Sequence, residues 1–257
     1  MGRISIKKIN RDFFKTWNHE MAYVLGYIVA DGCVYKRKDR KNSYVLNITS
    51  KDRQHLLNIG LNIVANCSIS TKRNSTGDQY CQIQVCSREI CEDLMGIGIF
   101  PRKTHNLDSI EVPEKYFSDF ARGFFDGDGT VYIYEVNNTQ QIKAGFVSSS
   151  LPFITRFNQS LCHRLAIPTK FIHQTIDRKG VKIPKYDICF YVDDCEKLFR
   201  LMYRDNPKLF LFRKYEIFEK WNFVKRRHYK KQNYPSKIGW HLNKNKGAVS
   251  SVGRAHT

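Results

Sequence analysis

VLGYIVADGCVYKR, from Val24 to Arg37, and ARGFFDGDGTVYIY, from Ala121 to Tyr134, are two versions of one pattern. Each reads small or apolar residues, a glycine, more apolar residues, then x-Asp-Gly and x-Val-Tyr. Asp31 and Asp128 occupy equivalent places 97 residues apart, and an internal repeat of this kind decides the fold before any local reading does.

The segments downstream of the two copies agree in order. After Gly32 the alternation of apolar and polar residues predicts strands to about Lys38 and over Ser43 to Ser50, then a helix over Asp52 to Val64. Strands around Cys67 to Arg73 and Gln79 to Ser87 come next, with a closing helix over Arg88 to Met95. After Gly129 the same series is predicted over Thr130 to Val136, Ile142 to Ser149, Pro152 to Leu165, Lys170 to Ile176, Lys185 to Val192 and Asp193 to Tyr203. The expected fold class is α+β: two pseudo-symmetric α-β-β-α-β-β-α repeats packed through their motif helices, with antiparallel sheets forming a saddle. Turn residues support it: Asn74 to Asp78 in the first half, Asn137-Asn138 and Lys179-Gly180 in the second. The expected domains are repeats at 1–100 and 114–227, a linker at 101–113 that has no helical period, and a basic tail at 228–257. A last amphipathic helix is expected over Leu211 to Arg227, and disorder in the last part of the tail.

Composition narrows the partner. The 43 Lys and Arg against 24 Asp and Glu leave a net charge of +19, which favours a polyanion. No stretch approaches the roughly 20 apolar residues that span a bilayer. The start has no secretion-type apolar core, and Ile6 stands where a myristoylation pattern wants Ser or Thr, so a soluble, intracellular protein is expected, in a bacterial or phage cytoplasm or an organelle matrix. The eight cysteines contain no C-x-x-C pair and read as free, mostly buried thiols rather than zinc ligands.

Each motif reads as a helix ending at a glycine, expected in the left-handed cap conformation. Small residues, Ala22 and Gly26 in one copy and Ala121, Gly123 and Gly127 in the other, allow the helices to approach closely and set Asp31 beside Asp128. Two carboxylates at adjacent helix C-termini concentrate negative charge, because each helix end adds about half a negative unit. Cations resolve this, and oxygen-only ligands suit Mg²⁺, two or more ions shared at the repeat interface, of the kind that hydrolyse phosphodiesters.

LGYIVADG and ARGFFDGDG resemble the two signature motifs of the LAGLIDADG homing endonucleases, and the resemblance extends over about Asn18 to Arg227. The first copy departs by carrying Val29 where the second has Asp126, an inner position that the family does not use for metal. The resemblance implies a monomeric, metal-dependent endodeoxyribonuclease that makes a staggered double-strand break with short 3′ overhangs at a long, asymmetric site, as in intron homing. It carries metal binding and catalysis to Asp31 and Asp128, and a catalytic basic residue near each centre, organising water around the scissile phosphates, to Lys103 and Lys214. Ser50, and Ser149 or Ser150, would join that water network.

Strand parity then nominates the DNA-binding face, since a curved ribbon fits the major groove. In the first half it comprises Tyr35, Arg37, Asn47, Ser68, Ser70, Lys72, Tyr80, Gln82 and Gln84. In the second it comprises Tyr132, Tyr134, Lys170, Gln174 and Lys185, with Asp187. Basic residues from Lys225 to Lys246 are candidates for phosphate contacts or a solubilising run. The alternatives are an RNA-binding intron maturase on the same fold with reduced or no cleavage, a transcription factor, which would want an added helix-turn-helix domain, and an intein, whose splicing nucleophile and terminal asparagine are not found here.

Overall fold

The structure, a computed structural model, describes residues 8–39, 43–103, 107–175 and 184–232. The chain divides after Phe218 into two compact units, and both repeats lie in the first. The first repeat runs α1 (His19–Asp31), β1 (Gly32–Lys36), β2 (Tyr44–Ser50), α2 (Arg53–Ile63), β3 (Ser70–Arg73), β4 (Gln79–Cys86) and α3 (Arg88–Ile97). After a 3-10 turn at Glu114–Tyr116, the second runs α4 (Phe117–Asp128), β5 (Gly129–Val136), β6 (Thr139–Ser148), α5 (Leu151–Leu165), β7 (His173–Thr175), β8 (Lys185–Tyr191) and α6 (Val192–Tyr203). A final helix, α7 (Phe212–Gln232), outlasts its expected end at Arg227, while residues 233–257 of the expected tail and the Lys179-Gly180 turn lie outside the described residues.

Local chemistry sets the boundaries. Asn18 caps α1 by accepting the Met21 N–H at 2.7 Å, and Ser87 caps α3 by accepting from Ile90 at 3.3 Å. Gly98 ends α3 at φ 110°, a left-handed position suited to glycine. Asn137 and Asn138, at φ 49° and 59°, make the two-residue turn between β5 and β6, matching the twist of an antiparallel pair.

The two sheets have the same order, β1-β2-β4-β3 and β5-β6-β8-β7, all antiparallel. One face of each is buried under helices: Leu46, Ile48, Ile83 and Val85 in the first, Ile142, Phe146, Ile188 and Phe190 in the second. The second core is aromatic, with Phe146 ring centroids 4.9 Å from Phe157 and 5.5 Å from Phe124.

The helices α1 and α4 meet at backbone distance. A Cβ placed on Gly26 would lie 2.1 Å from the Phe120 carbonyl oxygen, and one on Gly123 would lie 2.0 Å from that of Tyr23, so only glycine fits at this crossing. A Cβ on Gly127 would lie 2.2 Å from Cβ of Ala30, which carries the contact to the helix ends.

Two expectations are corrected. Gly32 and Gly129 end their helices at φ −88° and −84°, which is extended backbone and not the left-handed cap. They are glycines for space: a Cβ on Gly32 would sit 2.6 Å from the Ile28 side chain, and one on Gly129 would sit 2.4 Å from the Phe125 ring. No disulfide joins the eight cysteines, but only Cys81, Cys91, Cys162 and Cys195 are buried, and Cys33 and Cys86 are exposed because their parity places them on the uncovered sheet face.

Candidate active site and nucleic-acid interface

Because α1 and α4 cross so closely, Asp31 and Asp128 end neighbouring helices. The Cβ built on Gly127 lies 3.5 Å from Asp31 Oδ2, so the chain beside Asp128 abuts the other carboxylate. Both acids are half-buried. Burial pushes the Asp128 carboxyl up to about 6 with Asp31 adding to the rise, while Lys103 and Lys214 oppose it. Asp31 is also raised by burial, and the Tyr27 hydroxyl and the same two lysines oppose that shift.

The lysines are placed by the helix ends. Lys103 Nζ donates to the carbonyls of Ile28 at 2.8 Å and Ala30 at 2.7 Å, and also to that of Val29. Lys214 Nζ donates to Phe125 at 2.6 Å, Asp126 at 2.9 Å and Gly129 at 2.6 Å. Each ammonium thus spends its three donors on main-chain carbonyls at the negative end of one motif helix, where Ile28 and Phe125 also accept the cap N–H of Gly32 and Gly129. Burial lowers both lysines to about 8 against the pull of the carboxylates. This differs from the expected role at phosphate-bound water, because no donor is left for water in this arrangement.

A cleft of about 260 Å³ opens beside Asp31, lined by Tyr27, Ser50, Asp52, Asp126 and Arg213 among others. Tyr27 donates to Ser50 Oγ at 3.0 Å, and Arg213 pairs with Asp52 at 3.1 Å. Ser50 accepts the Asp52 N–H at 3.1 Å, as Ser148 accepts that of Ser150. Ser148 is therefore the counterpart of Ser50, and the choice of Ser149 or Ser150 is corrected: Ser150 is buried as the cap of α5, accepting from Phe153 and donating to the Leu107 carbonyl.

Sequence reasoning missed a buried polar chain across the helix interface. Tyr23 donates to Asp126 Oδ2 at 2.7 Å, and His55 Nε2 lies 2.9 Å from the same hydroxyl. The Leu211 N–H donates to Asp126 at 2.8 Å. Burial raises Asp126 to about 6 and lowers His55 to about 4, so the imidazole is neutral and donates from Nε2. Arg122 ties α4 to the last turn of α6 through the Met202 carbonyl and to the segment after it through the Leu209 carbonyl, and pairs with Asp119. The available signal was polar residues inside two otherwise apolar motifs.

On the sheets, register decides which nominated residues face outward. Tyr35, Asn47, Gln82, Gln84, Tyr80, Ser70 and Lys72 share the face opposite the core, and Arg37 extends it beside Asp39 at 2.8 Å. Tyr132, Tyr134, Lys185 and Asp187 share it in the second sheet. Ser68 is exposed but precedes β3 and belongs to no strand. Gln174 is corrected: it pairs with Tyr186, so His173 and Thr175 are the β7 residues on the face of Asp187 and Lys185. Lys170 is also corrected, because it lies before β7 and turns to the helix side, 2.5 Å from Asp194 and over the inward-facing Phe190 ring.

Comparison with known proteins matches this fold. Residues 18–95 fit the family model of the LAGLIDADG-like domain. The LAGLIDADG homing endonuclease I-GzeII, solved in complex with its DNA target, aligns at TM-score 0.55 and 15% identity over 92% of this chain and 99% of that one. Mesophilic variants of the homing endonuclease I-DmoI align at 0.50 and 17% over 78% and 96%, and the LAGLIDADG meganuclease I-AabMI, bound to uncleaved DNA, at 0.50 and 13% over 89% and 98%. An uncharacterized protein of Methanocaldococcus jannaschii is 28% identical over 118 residues, 44% of this chain, and the match spans only 39% of that protein. The chain has the two-repeat α+β fold of the LAGLIDADG homing endonucleases. Its residues 18–95 are a LAGLIDADG-like domain.

Proposed function

We propose that the protein is a site-specific DNA endonuclease that cuts both strands of a long, asymmetric duplex site. The observation that carries this reading is the glycine-lined crossing of α1 and α4, which sets Asp31 and Asp128 side by side at two lysine-clasped helix ends. Support comes from the +19 charge and from relatives of the same fold whose structures contain target DNA. Among the described residues no helix is long and apolar enough to cross a membrane.

The residues present fit a divalent cation. Asp31 and Asp128 offer only hard oxygen donors, and their raised proton affinities reflect burial and, at Asp128, the repulsion of Asp31, which a cation relieves. Among the described residues no group of three or more His, Cys, Asp or Glu could hold a metal, so water and phosphate oxygens would complete the shell, as suits Mg²⁺. When bound, such ions supply an activated water and stabilise the leaving oxygen. The chain's own part is to hold the carboxylates rigidly. Lys103 and Lys214 offset the helix-end dipoles without occupying the carboxylate oxygens, and Tyr27 and Ser50 fix the cleft beside Asp31.

In this reading the repeats at 1–100 and 114–227, joined by 101–113, each bind one half-site. One chain supplies both acids, so the enzyme acts as a monomer and leaves short 3′ overhangs. The test is digestion of the uninterrupted form of the gene housing this reading frame, with and without Mg²⁺. The full chain should linearise it only with the ion. Asp31→Asn or Asp128→Asn should lower double-strand cutting about a hundred-fold or more, as is typical on losing one charge-stabilising group, with binding retained. Cutting that survives both changes overturns the assignment, and RNA binding without any cutting would favour the maturase.

A further inference from the structure

The outer faces of the two sheets can be compared position by position, because Gly32, Ile48 and Ile83 align in one register as Gly129, Phe146 and Ile188 do in the other. Asn47 then corresponds to Gly145, Gln84 to Cys189, and Gln82 to Asp187. Along the next row, Tyr35 corresponds to Tyr132, Val45 to Lys143 and Cys86 to Tyr191. The amides of the first sheet have no amide counterpart in the second.

The first face is prepared for hydrogen bonding. Gln84 donates to the Tyr35 hydroxyl at 2.9 Å, which fixes its side chain across two strands and leaves its carbonyl oxygen and one N–H uncommitted to that bond. Beside it, Asn47 Oδ1 is buried and has no partner among the described residues. The carbonyl oxygen and remaining N–H of the exposed, oriented Gln84 match the donor and acceptor pair that adenine presents in the major groove. The second face instead exposes apolar surface: Tyr132, Val136 and Tyr191 are each close to half exposed. Tyr132, Lys143 and Tyr191 form one row over three strands, with the Lys143 ammonium 5.5 Å from the Tyr191 ring and the Tyr134 ring 5.8 Å from that of Tyr132. Gly145 admits no side chain, since a Cβ would meet the Ile188 carbonyl oxygen at 2.8 Å. Here a base edge meets ring faces and a gap, and the apolar group that a base pair offers in that groove is the thymine methyl.

We infer that the two sheets read their half-sites by different chemistry, Gln84 taking an adenine edge in one half and Tyr132 and Tyr191 taking thymine methyls in the other. This rests on the DNA-binding reading above and deepens it. The experiment begins with duplexes that the full chain retains from a randomised pool in EDTA. These are resynthesised one half at a time, with uracil for thymine or with a deazaadenine lacking the N7 acceptor. One half should lose about ten-fold in affinity on loss of N7 and little on loss of the methyl, and the other half should respond the opposite way. Gln84→Ala should abolish the N7 response alone, and Tyr132→Ser with Tyr191→Ser the methyl response alone. Equal responses in both halves, or variants that cross over, overturn the inference and leave DNA binding intact. Retention of no duplex overturns DNA binding, and this inference with it.

Discussion

The two halves share a skeleton and differ at several of the polar positions around it. Glycine contacts, strand order, paired serines and a clasping lysine recur in both. Yet Val29 is matched in the second repeat by Asp126, Tyr27 by Phe124, and the Asp52 cap that pairs with Arg213 by the Ser150 cap bound to Leu107. Geometry that must bring two acids together tolerates no change, whereas groups around each acid can diverge.

The comparison breaks most severely at the shared element. Gly123→Ala should cost about 3 kcal/mol, because the added methyl meets backbone and not a movable side chain. Gly96→Ala in α3, where nothing lies within 4 Å, should instead stabilise by about 1 kcal/mol. Chemical denaturation separates the two, and similar midpoints would show that the crossing is looser than described.

Next in size is the unshared acid. Folding raises Asp126 from 3.8 to about 6, so the native state holds that proton more tightly and stability from it declines as pH rises from about 4 to 6. Asp128 acts in the same direction. His55, lowered from 6.5 to about 4, acts oppositely: its contribution is present above 6.5 and is lost as pH falls towards 4. Melting temperatures of the metal-free protein over that range should therefore flatten with pH in Asp126→Asn and fall more steeply with rising pH in His55→Gln. Unchanged slopes would refute the buried pairing.

The smallest expected effect makes the first half resemble the second. Tyr27→Phe copies Phe124, removes the bond to Ser50, and should cost about 1 kcal/mol. It also removes a hydroxyl that holds the Asp31 proton affinity down, so the strand cut through Asp31 should lose its advantage at lower pH. Strand-specific nicking of supercoiled plasmid as a function of pH measures this, and identical profiles for wild type and variant would exclude a role for Tyr27.

The doubled x-Asp-Gly motif made the topology legible because helix and strand periods agree with it over both repeats. The outward face of β4 was readable from Gln82 and Gln84 alternating with Ile83 and Val85. Parity failed at Lys170 and Gln174, because β7 is only three residues long and the segment before it is held by Asn158 and Asp194 and not by a ladder. The Tyr23 to Asp126 contact joins residues 103 apart, and nothing local in either motif specifies it. At Gly32 and Gly129 the residue type was informative but its reason was steric, which only the fold reveals.

Each clasping lysine arrives from the chain beyond its own repeat's sheet: Lys103 returns to α1, and Lys214 returns to α4. Each half therefore carries its own fastener for the start of its own fold. A hybrid chain joined after Lys103 inherits both parts of that clasp from one parent, while one joined before Pro101 must rely on a stranger's lysine, so the natural seam for exchanging halves lies on the far side of residue 103.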